Sequence, residues 1–385
     1  MRLAAAINYT AHMRRIQLAS VALGVAAVVA SRPVAQQADP ARPIEPPAVL
    51  LPPESASAAV TKFSFVAYGD TRGPADGEIL QPQHSAVVNR VLEAVAEEKA
   101  AGFPVRFVVQ SGDAVNNGRN AAQWDVSFTP VIERITRAGL PYFFAVGNHD
   151  VGGRPVGDPD RERGLKNVTS AMSKLWPPEG PRRLAGYPTF GFGYGPLFFV
   201  AFDSNIPSDQ KQLAWVADTL DHLDRTRFPT VIALFHHPPF TTGAHGGPVV
   251  EREAEGVRRL YLPLFRRYHV RMTIAGHDHL YDHFVEHYDD SEGTHRMDHV
   301  VSGGGGGPIY TYHGEQDLAR YEADTMPQRV VVRHVTQPGR TEAENPHHFV
   351  IFEVDGGRIW EKVVATVAAP FAPLGAPRVE LADPN

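Results

Sequence analysis

Cysteine is missing from this chain of 385 residues. Its absence excludes disulfide bonds, thiolate metal sites and cysteine nucleophiles. Any bound metal ion must therefore be held by oxygen and nitrogen donors. Histidine, by contrast, is abundant, and most of the eighteen imidazoles lie in the second half of the chain.

An excess of positive charge is also missing. The chain has 37 Lys and Arg residues against 43 Asp and Glu residues, a formal net charge of -6 and a pI near 6.3. Nucleic-acid-binding domains usually present a basic field, so we predict no nucleic-acid-binding surface. Hydrophobic residues make up 43% of the chain, which is enough to bury a sizeable core.

A long apolar run occurs near the N-terminus, at residues 16–30, directly after Arg14 and Arg15. The run is shorter than the roughly 20 residues of a membrane-spanning helix, and a charged segment before an apolar one is typical of an export signal. We therefore predict an export signal at residues 1–35, with an uncleaved membrane anchor as the alternative. The expected location is periplasmic or extracellular, with membrane contact only through this segment.

Strands and helices alternate after a Pro- and Ala-rich stretch at residues 36–60, which we interpret as a linker. The apolar spacing predicts a domain over residues 61–366 and a poorly packed tail at 367–385. Its predicted elements are strands at 62–70, 105–113, 142–150, 230–240, 270–279, 280–288 and 297–303, helices at 83–100, 121–138, 208–226 and 252–268, and hairpins at 189–204 and 348–364. This alternation indicates an α/β fold with crossover connections.

Several of the predicted strands end in a residue that can bind metal. These residues are Asp70, Asp113, Asn148, His236 and the pair His277 and His279. In open α/β sheets, ligands bind outside the carboxyl ends of the strands. We therefore expect these side chains to face one crevice and to form a metal site there.

The order of these motifs, Gly-Asp, Gly-Asp, Gly-Asn-His-Asp, His-His-Pro and Gly-His-Asp-His, resembles the calcineurin-like metallophosphoesterase superfamily, which includes purple acid phosphatases. The resemblance covers residues 62–303. It implies a four-layer α/β/β/α sandwich of two mixed sheets flanked by helices. It also implies two divalent or mixed-valence metal ions and a small-molecule phosphoester substrate, a monoester or a diester.

The resemblance also assigns roles to the metal-capable residues. Asp113 would bridge the two ions, with Asp70 and His279 on the first ion. The second ion would be bound by Asn148, His236 and His277. Two such ions activate a bridging hydroxide for attack on the phosphate. Mn, Fe and Zn all suit oxygen and nitrogen ligands, so the metals are left open.

Near the motifs, Asp150 and His245 each have two possible roles. The resemblance places His149 beside the leaving group, with Asp150 either orienting its ring or serving as a turn or helix-cap residue. His245 either reaches the substrate phosphate or is an ordinary loop histidine. His283 and His287 lie beyond the motif, and we predict that they are structural or face solvent.

The chain departs from the family at two positions of the first metal site. Arg72 stands where many members have a metal-binding histidine, and Asn116 stands where purple acid phosphatases have a tyrosine. Asn116, Asn117 or water would then complete the first metal shell. Arg72 either clamps the substrate phosphate or pairs with a surface carboxylate such as Asp76 or Glu78. A degenerate metal- or phosphate-binding module of the cell envelope, without catalysis, remains the alternative function.

Overall fold

This computed structural model describes residues 39–73, 81–247, 249–367 and 378–383, which belong to one compact unit. The predicted signal or anchor at 1–35 lies outside these ranges, as do Asp76, Glu78 and most of the predicted tail. Among the described helices, none combines the length and the apolar character that crossing a membrane requires.

Two mixed sheets form the centre of the fold. The first sheet has the strand order β13-β12-β11-β1-β2-β3, and the second has the order β10-β8-β9-β7-β6-β5-β4. The strands are β1 (Lys62–Tyr68), β2 (Val105–Gln110), β3 (Tyr142–Phe144), β4 (Phe190–Tyr194), β5 (Leu197–Ala201), β6 (Thr230–Leu234), β7 (Met272–Ala275), β8 (Tyr281–Asp290), β9 (Gly293–Ser302), β10 (Val330–Thr336), β11 (His348–Asp355), β12 (Arg358–Ala365) and β13 (Val379–Glu380). The runs β1-β2-β3 and β5-β6-β7-β9 are parallel, and the other pairings are antiparallel.

Helices cover the outer face of each sheet. They are α1 (Pro82–Ala100), α2 (Ala121–Gln123), α3 (Thr129–Arg137), α4 (Asn148–Val151), α5 (Pro159–Ala171), α6 (Gln210–Asp221), α7 (Arg252–Gly256), α8 (Leu262–Arg267) and α9 (Leu318–Asp324). One π-helical turn joins α2 to α3 and another joins α7 to α8. The predicted helices at 121–138 and 252–268 are therefore each continuous.

The alternation of side chains along β5 shows how four layers arise from the sequence. Leu197 and Phe199 belong to the core between the sheets, whereas Phe198 and Val200 pack with apolar residues of α6 and α8. Neighbouring residues of a strand point to opposite faces, so a strand that is apolar throughout must be covered on both sides. The Phe199 ring meets Phe65 of the other sheet edge-on at 5.2 Å. The predicted α/β/β/α sandwich is confirmed.

The described part of the segment predicted as a linker packs on the domain. Ala41 and Ile44 are buried in the main core, and Ile44 donates its backbone N–H to the carbonyl of Ala171 at 2.9 Å. Glu54 accepts two hydrogen bonds from the Arg182 guanidinium. Burial of an isoleucine contributes about 1.5–3 kcal/mol, so residues 39–60 act as an arm of the domain rather than as a free spacer.

Five elements have no counterpart among the predictions. Helix α4 starts at Asn148, inside the predicted strand 142–150, α5 lies in the Gly-, Pro- and Arg-rich region 151–187, and α9 and β10 lie in 304–346. Strand β13 lies in the tail that was predicted to be poorly packed, and it pairs with β12. A local signal for α5 was present, because Asp158 caps the helix by accepting backbone N–H groups and Pro159 follows it. Asp at the cap and Pro at the first helical position are a typical helix start.

Candidate metal centre

The carboxyl ends of β1, β2, β3, β6 and β7 bring all the predicted metal ligands to one edge of the two sheets. Three of these residues have left-handed backbones: φ is 61° at Asp70, 56° at Asp113 and 72° at His277. Residues other than glycine rarely adopt this conformation, and it is concentrated at functional sites. Each of the three turns the chain sharply at or near the end of a predicted strand, and β1, β2 and β7 end before these residues.

Two glycines let the carboxylates rest directly against the backbone. A Cβ atom at Gly276 would lie 2.3 Å from Asp70 Oδ2, and one at Gly147 would lie 2.2 Å from Asp113 Oδ1. The backbone N–H of His277 donates to Asp70 Oδ2 at 2.9 Å. Any larger residue at either position would displace a predicted ligand.

The four donors predicted for the second ion face one another. Nε2 of His236 lies 2.9 Å from Asn148 Oδ1, 3.1 Å from His277 Nδ1 and 3.4 Å from Asp113 Oδ1. Donors that bind one ion at the usual 2.0–2.2 Å are themselves roughly 3–3.4 Å apart. The spacing of these atoms therefore suits a single shared cation.

The hydrogen bonds on the far side of each ring determine which nitrogen is free to bind metal. Nδ1 of His236 lies 2.9 Å from the carbonyl oxygen of Ser111, and Nε2 of His277 lies 2.8 Å from Oε2 of Glu251. Each acceptor requires an N–H on that nitrogen, so in the neutral imidazoles the lone pairs lie on His236 Nε2 and His277 Nδ1. Two lone pairs facing each other repel unless a cation lies between them, so the residues present fit a metal ion.

The ligands predicted for the first ion also bring two hydrogen-bond acceptors close together. Asp70 Oδ1 lies 3.4 Å from Nε2 of His279. This carboxylate oxygen is buried and has no hydrogen-bond partner among the described residues. Nδ1 of His279 faces the carbonyl oxygen of Pro308, so its Nε2 also carries a lone pair. A cation would satisfy both atoms.

Arg72 points into the first site. Its Nε lies 3.5 Å from Asp113 Oδ2, its Nη1 donates to Asn116 Oδ1 at 3.3 Å, and the side chain is only 13% exposed. Its Nε is buried without a hydrogen-bond partner in the described part of the chain. The guanidinium thus stands beside the carboxylate that is predicted to bridge the ions, and Asn116 is brought to the same place.

Burial sets the protonation of the cluster. Burial, followed by the nearby charge of Asp113, raises the pKa of Asp70 well above its ordinary value. The Asp113 carboxyl is buried too, yet His236, His149 and Arg72 lower its pKa to about 2. Burial lowers the pKa of His236 to about 3 and, with help from Arg72, that of His279 to about 4. Neutral imidazoles and an ionised Asp113 are already the forms that bind metals, whereas the raised pKa of Asp70 means that a cation would have to displace its proton.

His149 lies at the edge of this cluster and is held by groups other than Asp150. Its backbone N–H donates to Asp113 Oδ1 at 2.9 Å, and its Nδ1 lies 2.8 Å from the carbonyl oxygen of Asn116. Nε2 is 3.9 Å from Asp113 Oδ2, and the side chain is 30% exposed. The free nitrogen of His149 is therefore accessible from the solvent side of the site.

The prediction that Asp150 orients the His149 ring is wrong. The Asp150 carboxylate accepts the backbone N–H groups of Asp113 at 2.8 Å, Ala114 at 2.9 Å and Gly147 at 2.8 Å. It thus has the turn and helix-cap role that was the alternative reading. By tying the β2 and β3 ends together, Asp150 positions Asp113 rather than contacting the imidazole.

Comparison with known proteins identifies the family. The family model for calcineurin-like phosphoesterases matches residues 63–281. This chain belongs to the calcineurin-like phosphoesterase family.

Two known proteins are similar to this chain. It is 29% identical over 197 residues to a phosphoenolpyruvate phosphatase of Allium cepa, a match that covers 48% of this chain and 37% of that relative. The chain thus spans little more than a third of the curated relative. A purple acid phosphatase from yellow lupin (Lupinus luteus) seeds has a similar fold, with a TM-score of 0.58 and 18% identity over 83% of this chain and 53% of that one.

Two residues of this phosphoesterase site were missed by the sequence reasoning. Glu251, the residue before α7, joins two rings: Oε2 meets His277, and Oε1 lies 2.6 Å from Nδ1 of His245. The Tyr310 ring stacks on His279 at 4.2 Å with an angle of 7° between the planes. The sequence shows Glu251 only as an ordinary residue at a helix start, because the metal-site histidine that it contacts, His277, lies 26 positions away.

The remaining histidines divide between the site and the fold. The His245 ring lies 4.0 Å from that of His277, which brings its loop beside the predicted ligands, while contact of His245 with a substrate phosphate stays a prediction. His237 pairs through Nδ1 with Ser204 Oγ at 2.9 Å. His283 lies between Asp298 and Glu361, away from the ligand atoms, in agreement with its predicted structural role.

A cleft opens beside His149. It has a volume of about 410 Å³, and its lining includes Asn116, Asn148, His149, Arg119 and Arg154. Polar groups thus surround the space next to the exposed imidazole.

Proposed function

We propose that this chain is an exported, dinuclear metal-dependent phosphoesterase that hydrolyses phosphate monoesters or diesters. The observation that carries the proposal is the set of acceptor atoms that face one another without a donor between them. His236, His277 and Asn148 supply one such set around Asp113. Asp70 and His279 supply the other.

Each ion would have its own set of ligands, and Asp113 would belong to both sets. Asp113, with its two carboxylate oxygens, would serve both sets, as the family resemblance suggests. When bound, the ions would polarise a phosphoryl oxygen and make a water molecule acidic enough to act as a nucleophile near neutral pH. Asp150 holds the backbone on which Asp113 stands. Glu251 holds the His277 ring with its Nδ1 turned toward the site.

His149 would assist the leaving group. The Asn116 carbonyl fixes Nδ1 of His149, which leaves Nε2 directed to the accessible side of the site. A proton on Nε2 could pass to the departing oxygen, or stay and stabilise its charge by a hydrogen bond. The adjoining cleft gives the leaving group room beside this nitrogen.

Arg72 would bind the transferred phosphoryl group. An arginine remains protonated and cannot ligate a metal, yet this guanidinium is buried beside the ligand carboxylates. With cations in place, a phosphate between them and Arg72 would offset the repulsion, and the planar fork of donors suits phosphate oxygens.

One purified sample tests the proposal. Metal content is measured by elemental analysis, and hydrolysis is measured with an aryl phosphate, a bis-aryl phosphate and phosphoenolpyruvate. We expect two ions per chain and metal-dependent release of phosphate or aryl alcohol. The second candidate, a binding module without catalysis, rests on the first site alone, where Arg72 stands in place of a metal-binding histidine. One ion or none, with phosphate bound but no ester hydrolysed, would establish that module.

Export has its own test, because it depends only on the N-terminal sequence. The protein is expressed with its full N-terminus, and the cells are fractionated. The protein should be recovered outside the cytoplasm, and mass spectrometry should show that it is cleaved after Ala30 or Ala35. Recovery of the uncleaved chain in membranes would support the anchor instead.

A further inference from the structure

A second cluster of imidazoles and carboxylate lies at the opposite end of the seven-stranded sheet. His269 follows α8, Asp290 ends β8, and His295 lies near the start of β9. Strand β8 begins two residues after His279 and runs away from the metal ligands for ten residues, which is about 30 Å. The cluster is therefore independent of the proposed active site.

The two rings aim the same nitrogen at one carboxylate. Nε2 of His269 lies 2.7 Å from Asp290 Oδ2, and Nε2 of His295 lies 2.9 Å from Asp290 Oδ1. The three ligand atoms all lie within 4.8 Å of one another. Two imidazoles and a carboxylate are the protein ligands of many open zinc sites, where water completes the coordination.

Packing holds the three side chains in this arrangement. The His269 and His295 rings stack at 4.1 Å with 17° between the planes, and His295 stacks in turn on buried Tyr288 at 5.3 Å. The β8–β9 register fixes Tyr288 opposite His295. Ordering of ligands before binding reduces the entropy that an ion must overcome.

The cluster is also open to an ion from solvent. The side chains of His269, Asp290 and His295 are 31%, 26% and 24% exposed. The nearby guanidinium groups have other partners: Arg225 donates to the carbonyl of His269, and Arg329 pairs with Asp289. The remaining contact of the Asp290 carboxylate in the described chain is the backbone N–H of Glu292, at 2.7 Å.

We propose that His269, Asp290 and His295 form a second kind of metal site, which binds one Zn²⁺ or similar transition ion and links the end of α8 to the β8–β9 hairpin. Imidazole and carboxylate together suit Zn²⁺, Co²⁺ and Ni²⁺ rather than Ca²⁺ or Mg²⁺. The site would be structural, since it lies far from the cleft.

Zinc binding to the full chain with its active-site metals in place tests this site. Equilibrium dialysis at neutral pH compares the wild type with the double variant His269→Ala/His295→Ala and with Asp290→Asn. We expect the wild type to bind one more Zn²⁺ than the double variant, and Asp290→Asn to weaken that ion at least about tenfold. Zinc should raise the melting temperature of the wild type but not of the double variant, since a ligand of the native state stabilises it.

The matched control is His222→Ala. His222 pairs with Asp218 at 3.2 Å as a single exposed imidazole and carboxylate, so its loss should leave zinc binding as in the wild type. Equal zinc stoichiometry in the wild type and in both cluster variants would overturn the site and leave a solvated ion pair. Hydrolysis by the cluster variants should match the wild type, so the result does not depend on the proposed function.

Discussion

Two buried histidines four positions apart have opposite electrostatic surroundings. At the metal centre, burial and Arg72 lower the pKa of His279 to about 4. Burial also opposes the charge of His283, yet Glu361 and Asp298 raise its pKa to about 10. Nδ1 of His283 lies 3.0 Å from Glu361 and Nε2 lies 2.8 Å from Asp298. His279 keeps a lone pair for a metal, whereas His283 uses both nitrogens as donors.

The difference separates a ligand cluster from a support cluster. The ligand cluster comprises Asp70, Asp113, Asn148, His236, His277 and His279. The support cluster comprises His283, Asp298 and Glu361. Changes in the first should alter metal content and activity with little effect on folding. Changes in the second should alter stability and leave metal content unchanged.

The largest effect on activity is expected from Asp113→Asn. An amide supplies one weak neutral acceptor in place of a carboxylate that would balance two cations. Activity should fall by more than about 10³-fold, beyond the 10–100-fold typical of the outer partners of metal ligands, and metal content should fall with it. Retention of two ions per chain would show that Asp113 is not the bridge.

His149→Ala should reduce turnover without loss of metal. A general acid or a transition-state hydrogen-bond donor contributes about 10²–10⁴-fold, and this ring lies beside Asp113, 3.9 Å from its Oδ2, without belonging to the ligand cluster. The loss should be smaller for an ester whose leaving group needs no proton. Equal losses for good and poor leaving groups would argue against the acid role and leave only electrostatic stabilisation.

Arg72→Ala should leave metal content unchanged, weaken inhibition by phosphate and lower kcat/KM. The loss of one donor to transition-state charge typically costs about 10²–10³-fold. Arg72→His is the sharper variant, because it restores the residue common at this position. Gain of first-ion affinity with loss of activity would show that the arginine replaced a ligand with a substrate contact. Wild-type behaviour of both variants would disprove the clamp.

Glu251→Gln should weaken binding of the second ion by about 10–100-fold, the usual effect of losing the outer partner of a metal-binding histidine. The amide can present its N–H₂ group to His277 and so disturb the proton that now lies on Nε2. Glu253→Gln is the matched control, since Glu253 pairs with the exposed Arg252. Metal dissociation constants from chelator competition distinguish the two variants, and equal constants would exclude Glu251 from the site.

The smallest effect on activity is expected from His283→Gln, in the support cluster. Removal of one partner from a buried ion pair typically costs about 3–5 kcal/mol of stability, while metal content should stay at the wild-type level. The pKa of His283 is about 10 in the folded chain, against about 6.5 unfolded. Its protonation therefore stabilises the fold fully below pH about 6.5, and that contribution is lost as pH rises through 10.

The free energies of unfolding of the wild type and the His283→Gln variant, measured from pH 6 to 10, test the direction of this pH dependence. Their difference should shrink as the pH rises. His287→Gln is the control, because the His287 side chain pairs with Asp383 at the surface. A difference independent of pH would mean that His283 stabilises by packing alone.

Local sequence was sufficient for the strand-to-helix order and for the types of residue at the strand ends. Apolar runs of five to seven residues followed by Gly-Asp or Gly-His carry that signal within one segment, and parallel strands bring their carboxyl ends to one edge. Helix α5 and strand β10 were missed because the regions around them, rich in Gly, Pro and charge, show no clear periodicity. The ends of β1, β2 and β7 were placed too late because Asp70, Asp113 and His277 turn into left-handed conformations.

What the sequence by itself determined was which residues could bind metal and that they would meet. Only the tertiary structure decided how each one is held: Glu251 on His277, the Asn116 carbonyl on His149, and Asp150 on the backbone of Asp113. Each of these contacts joins residues 26 to 37 positions apart. Burial and neighbouring charge act through space and not along the chain, so His279 and His283 acquire opposite protonation although they belong to one short stretch.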